Sequence, residues 1–93
     1  MDFNYYSFIL NGAERIFYTY VTLDNEEDIL SWAVRYGFIK ESDISNCNNA
    51  RLLTPEEVEK RNKELYKAWW EQHKNEGSLS GKIPPTIGEA QLN

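Results

Sequence analysis

The chain is poor in the residues that build metal and thiol centres, with one cysteine and one histidine among 93 residues. A lone thiol forms no internal disulfide, and one Cys with one His cannot supply a zinc site of the Cys/His type. No apolar run approaches the roughly 20 residues that span a bilayer. Positive charge is also in deficit: 10 basic residues stand against 15 acidic ones, for a net −5. That balance argues against a general electrostatic grip on nucleic acid. The five glycines, Gly12, Gly37, Gly77, Gly81 and Gly88, are spaced as turns and stops and form no phosphate-binding loop. There is no His-Glu-x-x-His and no serine nucleophile elbow. Met1-Asp2-Phe3-Asn4 carries neither the basic nor the apolar region of a signal peptide. Together with the lone Cys47 this sets the expectation of a cytoplasmic protein.

What is present is aromatic and unevenly spread. Ten of the 13 aromatics fall in the first 38 residues, and Tyr66, Trp69 and Trp70 form a later group. Two β-prone runs, Phe3 to Leu10 and Arg15 to Leu23, flank Asn11-Gly12. Asn and Gly tolerate the positive φ of a two-residue type I′ turn, so the pair predicts a hairpin with Leu10 opposite Ala13 and Phe8 opposite Arg15. One face of that hairpin carries Tyr6, Phe8, Leu10, Phe17, Val21 and Leu23. The other carries Phe3, Tyr5, Ile9, Ile16, Tyr18 and Tyr20. Both are apolar, so alternation does not select the core face.

Asp24-Asn25-Glu26-Glu27 predicts a helix start, with Asp24 as N-cap and Glu27 at the reciprocal position of a capping box. Ile29, Leu30, Trp32, Ala33, Val34 and Tyr36 follow at helical spacing, and Gly37 with Phe38 suits a left-handed stop. Helix 1 is expected over residues 25–36. Asn46-Cys47-Asn48-Asn49 predicts a turn, and Ala50 to Leu53 a short third strand. Thr54-Pro55-Glu56-Glu57 combines an N-cap Thr, a first-turn Pro and a capping-box Glu. Helix 2 is expected from there to about Glu76, stopped by Gly77 and supported by i,i+4 pairs such as Glu57–Arg61 and Glu59–Lys63. The fold class expected is α+β: an antiparallel hairpin or three-stranded sheet packed with two helices. Residues 1–76 are expected to form the domain, and 77–93 a polar tail, flexible or extended.

Neighbouring residues on a helix point about 100° apart, so Trp69 and Trp70 cannot share one core direction. Large aromatics are favoured interface anchors. The candidate partner-binding residues are therefore Trp70, Tyr66 and Trp69 on helix 2 and Tyr18 and Tyr20 on the hairpin. The acidic Glu26, Glu27 and Asp28 are candidates for steering a basic partner. The plainer roles compete with each assignment: aromatics as core, and first-turn acids as complements of the helix dipole. A Cys47–His73 dyad is conceivable by residue type alone. No cofactor or metal is called for.

In scale and charge the chain resembles the small acidic inhibitors carried by phages and mobile elements. That resemblance implies stoichiometric action, often by filling a nucleic-acid channel with carboxylates. The expected function is a non-enzymatic protein-binding module acting as inhibitor, adaptor or regulator. Its partner is another protein, with no direct nucleic-acid contact and no membrane. The alternatives are an acidic nucleic-acid mimic, a small enzyme subunit, or a homo-oligomer using the same aromatic surfaces.

Overall fold

A computed structural model of the chain describes residues 3–75 and 85–90. It is α+β, with three antiparallel strands and two main helices. In chain order these are β1 (Asn4–Leu10), β2 (Ala13–Thr19), α1 (Glu26–Arg35), a 3-10 turn over Glu41–Asn46, β3 (Cys47–Leu52) and α2 (Pro55–His73). A two-residue strand, β4 (Glu89–Ala90), ends the series. The sheet order is β3-β1-β2-β4, with β4 parallel to β2. The described chain falls into two units, Met1–Thr54 with Gly88–Asn93 and Pro55–Ile87, taken here as the sheet unit and the helical unit.

In the sheet unit, Asn11 (φ 52) and Gly12 (φ 82) both take positive φ. The two-residue turn they form sets Leu10 opposite Ala13, Phe8 opposite Arg15 and Tyr6 opposite Phe17. The core face, which the sequence pattern left open, is that of Tyr6, Phe8 and Phe17. All three are fully buried. They pack with Ile29, Leu30 and Ala33 of α1 and with Phe38 and Ile39 behind it. Burying each large apolar side chain contributes about 1.5–3 kcal/mol, which makes this cluster the main stabilising element of the unit. Val21, grouped with the core face by alternation, lies beyond the end of β2 and is exposed.

The start of α1 differs by one residue from expectation. Asn25 is the N-cap, extended at φ −151 and ψ 173, and its side chain accepts the Asp28 N–H at 2.8 Å. With Asn25 as cap, the third helical position belongs to Asp28, so Asp24 and Glu27 do not form the predicted capping box. The far end follows the predicted stop. Gly37 (φ 79) donates to the Val34 carbonyl at 3.1 Å, and the Phe38 N–H reaches back to the Ala33 carbonyl at 2.9 Å. Those two bonds define the Schellman close.

Cys47, Asn48 and Asn49, predicted as a turn, lie within β3. The strand accommodates them by a bulge. Ser7 pairs Arg51 and Ile9 pairs Asn48, so β3 carries one extra residue there, and Asn49 sits at φ 54. The third strand therefore begins earlier than Ala50. Leu53 follows it, buried, with its N–H donating to the Tyr5 carbonyl at 2.8 Å.

In the helical unit, α2 starts at Pro55 as predicted. It ends at His73 rather than near Glu76, with Lys74 and Asn75 in a turn. Ion pairs Glu57–Arg61 (3.8 Å) and Glu59–Lys63 (2.9 Å) form at the predicted spacing. Within the same unit, the Asn62 side chain accepts the Ile87 N–H at 2.9 Å. The Gly77 stop and most of the predicted tail lie outside the described residues. Gly88 to Ala90 group with the sheet.

Candidate functional site

α2 has no buried residue over its 19 positions. Local i,i+4 pairs such as Glu57–Arg61 and Glu59–Lys63 support such a helix. Its last two turns nevertheless concentrate aromatic surface. Tyr66 and Trp69, three residues apart, bring their ring centroids to 5.8 Å, and Trp69 and His73, four apart, to 5.3 Å. These are the i,i+3 and i,i+4 neighbours that helical geometry sets on one strip. Trp70, four residues on from Tyr66, is 42% exposed, with Tyr66 at 50%. Leu65 adds further exposed apolar surface, while Trp69 is half-buried. The structure thus joins Tyr66, Trp69 and His73 into one ladder and leaves Trp70 beside it as a large exposed indole.

A second aromatic group lies on the sheet face opposite the core. Phe3 stacks on Tyr20 at 4.3 Å and meets Tyr18 edge-on at 4.7 Å, and Tyr5 lies 5.3 Å from Tyr18. Tyr20 is the most exposed of these, at 58%. Tyr18 is half-buried and is approached by Gly88. Phe3 links the two predicted tyrosines, although the sequence pattern did not single it out. The available signal was the hairpin register, which ends at Asn4 opposite Thr19, with Phe3 and Tyr20 the next residue on either side. Gly88 carried no such signal, because its role depends on a contact with a distant strand.

The acidic candidates divide. The Glu26 carboxylate accepts the Ala50 N–H of β3 at 2.9 Å, so it serves the fold. Glu27 and Asp28 are exposed at the start of α1, where negative charge complements the helix dipole.

Cys47 is poorly set up as a nucleophile. Its S–H donates to the Asp43 carbonyl at 3.2 Å. Burial, and then the Asp43 charge, push the thiol above its ordinary value against a smaller opposing pull from Arg15. A raised thiol holds little thiolate near neutrality, and the thiolate is the reactive form. Among the described residues no group of three His, Cys, Asp or Glu side chains could hold a metal ion, and no helix is long and apolar enough to cross a membrane. Comparison with models of protein families, with curated proteins and with solved structures finds no match to this chain.

Proposed function

We propose that the chain is a small, acidic, non-enzymatic protein-binding module of the cytoplasm, acting stoichiometrically as an inhibitor, adaptor or regulator. The observation that carries this is the aromatic group on α2: Tyr66, Trp69 and Trp70 on a helix with no buried residue. Exposed tryptophan and tyrosine combine large contact area with few rotatable bonds, which makes them frequent centres of binding energy. Glu27 and Asp28 add exposed negative charge that accelerates encounter with a basic partner.

The test is comparative affinity capture from the native host with the wild-type chain, Trp70→Ala, and the double reversal Glu27→Lys/Asp28→Lys. The expected result is one partner recovered by the wild type and lost with Trp70→Ala, a hot-spot truncation costing about 2 kcal/mol or more. The double reversal is expected to slow association and to remove its salt dependence, with a smaller effect on dissociation. Equal recovery by all three proteins, with unchanged circular dichroism, would remove these residues from the interface.

A further inference from the structure

The two edges of the sheet are built differently. At the β3 edge, the Glu26 carboxylate of α1 accepts the Ala50 N–H, and the Asn49 bulge twists the strand. Both are devices that protect a sheet edge from pairing with another chain. The β2 edge is covered instead by a strand. β4 lies parallel to it, with Phe17 opposite Glu89 and Tyr18 opposite Ala90. β2 has seven residues and β4 two, so this cover is short.

The approach of β4 depends on Gly88. Its φ of +92 is a conformation that L side chains rarely adopt. A Cβ placed there would stand 3.0 Å from Tyr18 Cδ1, 3.5 Å from Tyr5 Cε2 and 3.6 Å from Ile16 Cγ2. The rings of Tyr18 and Tyr5 and the branch of Ile16 thus form a surface against which only a bare backbone fits without displacement. Strand addition draws affinity from main-chain hydrogen bonds, which any extended peptide supplies, and specificity from the few positions where side chains must fit. Here the selective position is the glycine over Tyr18.

We infer that the outer edge of β2 is a strand-addition site, that β4 is its resident occupant, and that it accepts in trans an extended segment of another protein with a glycine set over Tyr18. The site belongs to the sheet unit alone, so it is independent of the aromatic group on α2. β4 is part of the same chain and therefore competes intramolecularly with any free peptide. A free peptide is therefore expected to bind well only when β4 is displaced.

The test uses the full-length chain, its Gly88→Val variant, and a fluorescently labelled synthetic peptide with the sequence of residues 85–93. Anisotropy titration is expected to show the peptide binding the variant at least about tenfold more tightly than the wild type, as release from a tethered competitor requires. A peptide with valine in place of its glycine is expected to bind neither. Equal binding to both proteins, or none to a variant with wild-type circular dichroism, would overturn the inference. Hydrogen exchange on the wild-type chain gives a check that needs no variant. The backbone amides linking β4 to β2 are expected to exchange by local opening, faster than those of the β1–β2 ladder. Equal protection would make β4 a fixed part of the sheet and overturn the site. A wild-type dimer that grows with concentration and is abolished by Gly88→Val would assign the trans occupant to a second copy and overturn a foreign partner.

Discussion

The sheet unit and α2 use the same residue types for opposite ends. In the sheet unit, Tyr6, Phe8 and Phe17 lose almost all their exposure, and Phe17 stacks on Phe38 at 5.1 Å. On α2, Tyr66 and Trp70 keep about half of theirs. The first set is held by long-range packing between elements distant in sequence. The second is held by ring contacts three and four residues apart and by charge pairs along one helix. An aromatic residue is therefore not informative by itself. What decides its role is whether its neighbours in space come from elsewhere in the chain.

The largest effect expected to break this contrast is in the core. Phe17→Ala removes a ring that contacts Tyr6, Phe8 and Phe38. It should cost about 3–5 kcal/mol, a large fraction of the stability of so small a domain. Trp70→Ala should change stability by no more than about 0.5 kcal/mol, as at exposed positions generally. Urea denaturation of the two variants measures the difference directly. Similar losses from both would mean that Trp70 is structural.

A smaller effect sharpens the comparison inside the sheet unit. The Tyr6 hydroxyl accepts the Leu23 N–H at 2.8 Å and donates to the Val21 carbonyl at 3.2 Å, tying the segment after β2 to the core. Tyr6→Phe keeps the ring and leaves the Leu23 N–H without that acceptor. The expected cost is about 1–3 kcal/mol, with faster amide exchange at Leu23.

The smallest effects are those of pH, and they differ in sign between the units. Cys47 has its value raised in the folded chain. Its contribution is complete below the unfolded thiol value and is lost as pH rises through the folded one. Alkylation by iodoacetamide at mildly alkaline pH should accordingly be slower in the native chain than in urea. Glu59 on α2 is lowered by its hydrogen bond from Lys63. Its contribution is present above the unfolded carboxylate value and is lost as pH falls through the folded one. The pair is fully solvated, so only a slight loss of helix on acidification is expected, weaker still in high salt and absent in Lys63→Ala.

Local chemistry was legible in the sequence wherever it is decided by neighbours. Asn11-Gly12 specified both the turn and the register of β1 on β2. Gly37-Phe38 specified the close of α1, and Thr54-Pro55 the start of α2. Asn25 displaced Asp24 as cap because two adjacent residues can both cap, and the one whose oxygen reaches the Asp28 N–H prevails. The Asn46–Asn49 segment misled because its residues are turn formers. In β3 they are tolerated by a bulge on an edge strand, a feature set by pairing with β1. For the candidate site, the grouping of Tyr66 with Trp69 followed from helical spacing. The link of Phe3 to Tyr20 required the hairpin register.

From local residues alone came the hairpin turn and its register, the Gly37 close of α1, the Pro55 start of α2, and the two aromatic concentrations on an acidic chain, because each depends on residues within a few positions of one another. Tertiary structure alone decided which hairpin face became the core, that Glu26 serves β3, and that Gly88 lies against Tyr18. Each of those depends on a contact between segments 12 or more residues apart, between Gly88 and Tyr18, Glu26 and Ala50, or Phe17 and the helix-and-loop layer from Ile29 to Ile39, or on which of two equally apolar faces such segments cover. No local propensity encodes that choice, because both faces of the hairpin satisfy the same pattern.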